Sequence, residues 1–193
     1  MTSEGGESDA TLVQRALTGE DEAFARLVTR HKQWAYRFVR RYVGNADDAY
    51  DVLQDTFFAA WQALSRYQPD KPFESWLRRI ALNKCRDRAR RAAVRRVFSR
   101  AAGEPTEAEA LPDPGPGPEA RLAADQQLEQ LERSIAALPR SLKEPLLLTA
   151  LEGYSHQQAA ELLGLNAKAV EMRIYRARER LAALRTAQRN APR

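Results

Sequence analysis

The sequence predicts an all-α protein made of two small helical domains joined by a flexible linker. Strand-like alternation of apolar and polar residues is absent, and the helix-favouring residues Ala, Leu, Arg, Glu and Gln dominate the chain. The length of 193 residues suits one or two domains. An acidic, proline-rich segment just past the middle separates two basic blocks, so two domains are the better interpretation.

The separating segment spans residues 101–125. It carries one basic and six acidic side chains, whereas residues 1–100 have a net charge of +6 and residues 126–193 a net charge of +4. Its five prolines remove backbone donors and restrict the residues before them, and it lacks apolar periodicity. These features predict an extended, mobile linker; a long ordered loop is the alternative.

Eight helices are predicted, four on each side of the linker. Apolar periodicity places them at residues 10–18, 21–43, 46–65, 74–98, 126–138, 141–152, 156–163 and 167–187. Helix stops are expected at four glycines: Gly19, Gly44, Gly153 and Gly164. We expect the two domains at residues 9–100 and 126–189, preceded by a disordered tail at residues 1–8.

The composition argues against several classes of protein. One cysteine, Cys85, and two histidines leave little for a disulfide framework or a metal site, so we expect neither metal nor cofactor. No apolar run approaches the roughly 18–20 residues that cross a bilayer, and the acidic N-terminus does not resemble a secretory signal. No glycine-rich phosphate loop or nucleophile elbow is present. We therefore expect a cytoplasmic protein that is not an enzyme.

The helix at 46–65 has an acidic face with an aromatic residue in it. A rotation of 100° per residue gives a core stripe of Leu53, Phe57, Ala60 and Leu64, with Trp61 at its edge. The opposite side carries Asp48, Asp51, Asp55, Phe58 and Gln62. A solvated surface explains the acids alone, but a large ring among them indicates a docking surface for a basic partner helix.

The helix at 74–98 has an inward stripe that fades into a basic run. The inward residues are Leu77, Ile80 and Ala81, preceded by Phe73 as a hydrophobic staple. The outward side carries Arg79, Asn83, Arg86 and Arg90, with Trp76 at its edge. Residues 84–100 contain eight cations and one acid.

Cations near Tyr67, Phe73 and Trp76 suit single-stranded DNA, whose phosphates and bases they contact. Two alternatives stay open: Trp76 as a core residue, and the arginine run as a solvated tail. A membrane helix is disfavoured, since its apolar face would have to continue through the charged part.

Residues 141–187 carry a helix-turn-helix pattern. Two capping boxes are predicted, Ser141 with Glu144 and Ser155 with Gln158, and Asn166 is the expected N-cap of the last helix. On that helix the inward stripe is Val170, Ile174, Ala177, Leu181 and Leu184. The candidates for contacts with DNA bases are Lys168, Glu171, Met172, Arg173, Tyr175 and Arg176, flanked by Arg178. An ordinary helical hairpin with a charged face is the alternative.

Together these motifs resemble the extracytoplasmic-function (ECF) sigma factors. The stretch DDAYDVLQDTF at residues 47–57, with Trp61, looks like the core-polymerase-binding helix of sigma region 2. FESWLRRIALN at residues 73–83, with the arginine run, resembles the helix that melts and reads the −10 element. Residues 138–181 resemble region 4. Two positions depart from the family pattern: Tyr50 stands where an acid is usual, and Glu171-Met172 replaces a basic residue followed by Ser.

The resemblance implies a bacterial alternative sigma factor that binds core RNA polymerase at the clamp coiled coil and the flap, with an anti-sigma factor as inhibitor. The implied polymerase-binding residues are Asp48, Asp51, Gln54, Asp55, Phe58 and Trp61. Those for the melted −10 strand are Tyr67, Phe73, Trp76, Arg79, Asn83, Arg86 and Arg90. The helix-turn-helix would read the −35 duplex. The competing hypotheses are a helix-turn-helix regulator that binds duplex operators alone and a decoy that binds only the anti-sigma factor.

Overall fold

A computed structural model describes residues 7–101 and 119–189, with side chains for 7–95 and 128–186. Within these residues all regular structure is helical, as predicted. The first helices are α1 (Asp9–Leu17), α2 (Asp21–Val43), α3 (Ala46–Gln62), a 3-10 turn (Leu64–Arg66) and α4 (Phe73–Ala101). They are followed by α5 (Glu119–Ala136), α6 (Arg140–Leu146), a π-helical turn (Leu147–Leu151), α7 (His156–Leu163) and α8 (Ala167–Arg189).

The chain divides into two compact helical units, which confirms the predicted architecture. Among the described residues, the first unit comprises residues 7–39 and 46–94, and the second comprises residues 40–45, 95–101 and 119–189. The short segment 40–45, at the end of α2, therefore belongs to the second unit, which sequence reasoning did not anticipate.

The core of the first unit is formed by α1 to α4. Phe57, Ala60 and Leu64 are buried there, and Leu53 is partly buried against the same cluster, so the predicted stripe of α3 is confirmed. On α4, Leu77 and Ala81 are fully buried. The apolar stripes thus fix which faces of α3 and α4 turn outward.

Two residues of the predicted disordered tail, Glu7 and Ser8, belong to the folded first unit. Ser8 is the N-cap of α1 and accepts a hydrogen bond from the Thr11 amide. The Glu7 carboxylate pairs with Arg15 at 2.6 Å and with Arg26 at 2.9 Å. These contacts hold residues 7 and 8 on the folded unit, whereas residues 1–6 lie outside the described residues.

The helix α5 begins inside the segment that we expected to be linker. Its first residue is Glu119, and the stretch EARLAA at residues 119–124 consists of residues that favour helices. The predicted end of the linker, at residue 125, was placed where the charge and proline content change. A change in composition does not show where a helix begins. The rest of the predicted linker, residues 102–118, lies outside the described residues.

One of the two predicted capping boxes is wrong. The helix α6 has Pro139 as its N-cap and no side-chain cap, so Ser141 lies within the helix. The buried Glu144 carboxylate instead accepts hydrogen bonds from the Tyr42 hydroxyl and from Arg140, both at 2.9 Å. Within the same unit the buried Lys143 ammonium donates to the Tyr42 carbonyl at 3.0 Å. The contacts with Tyr42 and Arg140 engage the Glu144 carboxylate, which a capping box would have required.

Candidate functional site

The outer face of α3 presents acidic and aromatic side chains. Asp51, Gln54 and Asp55 are exposed, and Phe58 is 62% exposed. A large ring left this open costs hydration free energy unless a partner covers it. Of the residues predicted from the helical wheel, Asp51, Asp55 and Phe58 therefore share one accessible face, and Gln54 lies beside them.

The ring of Trp61 lies at one end of this face and packs against a residue of α2. It is 39% exposed and packs edge-on against Phe24 of α2, with ring centroids 4.9 Å apart. An edge-to-face pair fixes the orientation of the indole. Trp61 thus turns one side to the core and leaves another exposed.

The carboxylate of Asp48 differs from the other predicted acids of α3. Its side chain is only about a quarter exposed, and it forms an ion pair with Arg88 of α4. Sequence reasoning placed Arg88 in the basic run without a partner, since nothing in the spacing shows that the two helices meet there. The pair ties the acidic helix to the basic one.

The outer face of α4 carries the predicted polar stripe. Arg79, Asn83 and Arg90 are exposed, and Arg90 pairs with Asp87 one turn away. Arg86 donates a hydrogen bond to the Asn83 side-chain carbonyl at 3.3 Å. The stripe is therefore continuous along one side of the helix, from Arg79 to Arg90.

Three aromatic residues before and within α4 form a cluster at the edge of the core. Phe73 is 2% exposed and Tyr67 is 8% exposed, whereas Trp76 is half-buried and lies 5.4 and 5.6 Å from their ring centroids. The Tyr67 hydroxyl donates to the Lys71 carbonyl at 2.7 Å, and burial raises the pKa of Tyr67. Two of the three rings predicted to meet DNA are therefore interior, and Trp76 alone reaches the surface.

The second unit contains the predicted helix-turn-helix, formed by α7 and α8. The capping box of Ser155 and Gln158 is confirmed, with both reciprocal hydrogen bonds present. Gly164 ends α7 with a φ of 68°, a left-handed conformation that glycine adopts without a Cβ clash. Asn166 then caps α8 by accepting from the Ala169 amide at 2.7 Å.

The two faces of α8 are separated as predicted. Val170, Ile174 and Ala177 are buried, while Leu181 and Leu184 are partly buried. Arg173 is partly exposed. The other candidates for DNA contact are exposed: Lys168, Glu171, Met172, Tyr175, Arg176 and Arg178.

Local hydrogen bonds shift the pKa values of two side chains on the outer face of α8. A hydrogen bond from Lys168, at 2.9 Å, lowers the pKa of Glu171. A hydrogen bond with the Glu179 carboxylate raises the pKa of Tyr175. The face thus presents an ionised carboxylate and a protonated phenol among arginines.

No group of three or more His, Cys, Asp or Glu side chains suited to a metal ion occurs in the described part of the chain. Among the same residues, no helix is long and apolar enough to cross a membrane.

Comparisons with known proteins identify the two units. Residues 27–95 match the model of sigma-70 region 2, and residues 128–181 match that of sigma-70 region 4. These two regions, in this order, define a sigma factor of RNA polymerase. Sigma factors are transcription initiation factors that bind DNA and are not catalysts.

Relatives over nearly the full length place the chain within this class. It is 41% identical to the RNA polymerase sigma factor CnrH of Cupriavidus metallidurans, over 92% of this chain and 94% of that protein. It is 31% identical to the ECF RNA polymerase sigma-E factor of Escherichia coli, over 89% of this chain and 91% of that protein. The chain belongs to the extracytoplasmic-function family of sigma factors.

Solved structures agree with this assignment. The structure of CnrH in complex with the cytosolic domain of CnrY matches with a TM-score of 0.61 and 38% identity, covering 94% of this chain and 99% of that one. The sigma factor RpoE of Bartonella quintana, in complex with the anti-sigma factor NepR, matches with a TM-score of 0.65. The match covers 84% of this chain and 96% of that one. At 22% identity the second match shows the fold alone.

Proposed function

We propose that this protein binds core RNA polymerase through the outer face of α3 and selects promoters with α4 and α8. The observation that carries the proposal is the separation of faces. Each of the three helices buries an apolar stripe and presents chemistry suited to a different partner on the opposite side. A single DNA-binding role leaves the acidic and aromatic face of α3 without a purpose, since DNA repels carboxylates.

The outer face of α3 suits the basic clamp coiled coil of the polymerase. Asp51 and Asp55 provide negative charge, while Phe58 and Trp61 provide apolar area that a partner helix can cover. Interfaces take much of their affinity from such aromatic anchors, and charge complementarity guides the approach. Asp48 contributes indirectly, because its ion pair with Arg88 holds α3 against α4.

The outer face of α4 is proposed to capture the unwound −10 strand. Arg79, Arg86 and Arg90 supply cations for phosphate, and Asn83 supplies an amide for a base edge. Trp76 offers a partly exposed ring for stacking. Tyr67 and Phe73 act here as the packed support behind Trp76, in place of the direct contacts that the sequence predicted.

The helix α8 is proposed to read the −35 duplex in the major groove. Arg173 and Arg176 suit guanine, which accepts two hydrogen bonds from one guanidinium. The Glu171 carboxylate, which accepts a hydrogen bond from Lys168 at 2.9 Å, can also accept from the amine of cytosine. Met172 and Tyr175 lie on the same exposed face and offer apolar contact.

An anti-sigma factor is the proposed regulator. The relative CnrH has been solved in complex with the cytosolic domain of CnrY. The exposed rings of Phe58 and Trp61 need cover when polymerase is absent, and an inhibitor that covers them blocks polymerase at the same time.

Transcription in vitro tests the proposal. Purified bacterial core polymerase would be combined with this protein on a genomic promoter library, and transcripts would be sequenced. We expect protein-dependent transcripts that share one −35 and −10 pair. Tight duplex binding by the protein alone, with no transcription from a competent core, would instead support the stand-alone regulator.

Removing the arginines of the recognition face should weaken promoter binding. We expect Arg173→Ala and Arg176→Ala each to cost about 1–3 kcal/mol of affinity for the −35 duplex and to relax specificity at one base pair. Holoenzyme binding to promoter fragments with single base changes would measure both effects. Arg185→Ala removes another exposed cation of α8, near its end, and should change affinity without changing base preference. Unchanged affinity and specificity in both test variants would refute this assignment of the face.

A further inference from the structure

Tyr50 is an exposed aromatic residue of α3 that the proposed function has not yet used. Its side chain is 56% exposed, about as open as that of Phe58. On the helical wheel it lies at the edge of the outer face that borders α2, on the same side as Gln54 and Trp61. It therefore belongs to the surface that we assign to the polymerase.

The ring of Tyr50 also packs against a ring of α2, but in a tilted and not an edge-on arrangement. Tyr36 lies beneath it with ring centroids 4.8 Å apart and an interplanar angle of 36°. The seam between α2 and α3 thus carries two aromatic pairs, Tyr36–Tyr50 and Phe24–Trp61. Tyr50 and Trp61 are three helical turns apart, or about 16 Å at 1.5 Å per residue. A partner helix that follows α3 can contact both pairs at once.

The surroundings of Tyr50 favour a cation on its open side. Asp47 lies one turn before it and Asp51 follows it directly, and both are exposed. The face of a tyrosine ring attracts a guanidinium, which can stack on the ring while it pairs with a neighbouring carboxylate. An apolar partner side chain would have no favourable electrostatic interaction with the two carboxylates.

We infer that the Tyr36–Tyr50 pair is a second contact point for core polymerase, which receives an arginine from the basic coiled coil that docks on α3. Tyr50 makes the contact, and Tyr36 is a positioning residue that holds its ring. This inference rests on the proposed docking of α3. It adds that, at this point, docking depends on an aromatic ring and not on a carboxylate.

Three substitutions at one position test the inference. Affinity for purified core polymerase would be measured without DNA at low and high salt. We expect Tyr50→Ala to weaken binding by about three- to thirtyfold, with a similar factor at both salt concentrations. Tyr50→Phe keeps the ring and should bind like the unmodified protein. Tyr50→Asp can pair with the same arginine, so it should recover affinity at low salt and lose it at high salt.

Two comparisons separate this inference from the docking proposal. Leu17→Ala removes an exposed apolar side chain of α1 and should leave affinity unchanged. If Tyr50→Ala binds like the unmodified protein while the double substitution Asp51→Arg/Asp55→Arg on α3 weakens binding, the Tyr50 contact is refuted and the docking face stands. If neither change has an effect, the docking face itself is refuted.

A photo-crosslinker gives an independent readout. With p-benzoylphenylalanine at position 50 in the full chain, we expect a crosslink to one of the largest polymerase subunits in the holoenzyme. A crosslink from position 55 with none from position 50 would overturn the assignment of Tyr50.

Discussion

The double substitution Asp51→Arg/Asp55→Arg should weaken binding to core RNA polymerase by roughly 30- to 1000-fold, or about 2–4 kcal/mol. Both carboxylates are exposed on the outer face of α3, so their replacement leaves the core of the first unit intact. Each change replaces an attraction to a basic partner helix with a repulsion. Titration of labelled protein with core polymerase would measure the loss, and circular dichroism would verify the helical fold.

A matched control has the same change in net charge. Asp70→Arg/Glu161→Arg reverses two exposed acids that are not part of α3. In the absence of DNA this control should bind core polymerase within about twofold of the unmodified protein. Equal losses in both double variants would mean that total charge governs binding and that the α3 face does not.

The second large effect concerns stability at Gly44, which follows α2. Its φ is 93°, and a Cβ there would lie 2.6 Å from the Cβ of Ala136. Gly44→Ala therefore combines left-handed strain of about 1–2 kcal/mol with an overlap that costs about 1–3 kcal/mol more. We expect a total loss of about 2–5 kcal/mol in the free energy of unfolding.

The chain contains a control for the strain alone. Gly19 has a φ of 95°, and a Cβ there would meet nothing within 4 Å. Gly19→Ala should therefore cost about 1–2 kcal/mol. Urea unfolding followed by circular dichroism would compare the two variants. If Gly44→Ala loses no more free energy of unfolding than Gly19→Ala, the second unit relaxes around Ala136 and the overlap adds no destabilisation.

Sequence periodicity predicted the orientation of helices well. The stripe through Phe57 and Ala60 is buried, and the adjacent Phe58 is exposed, because one residue turns the helix by 100°. The helix-turn-helix was also predictable, since Ser155, Gly164 and Asn166 act through neighbours in the sequence. Local rules suffice wherever the deciding contacts are local.

The errors arose where distant residues decide the outcome. Glu144 was expected to cap its own helix, but its carboxylate accepts from Tyr42, far away in the sequence. Tyr67 and Phe73 were expected to face DNA, but they pack in the core. The sequence shows only that aromatic residues lie next to a basic helix. The packing of the first unit decides which of these rings are buried and which reach the surface.

The ion pair between Asp48 and Arg88 has a consequence for the order of events during initiation. It joins the helix proposed to grip the enzyme with the helix proposed to open DNA, inside one packed unit. Under the proposed function, docking aims the DNA-reading side chains as it anchors the subunit. Because α3 and α4 belong to one packed unit, the rotational freedom of that unit is lost once, on assembly with the enzyme, and does not have to be lost again when the promoter strands separate.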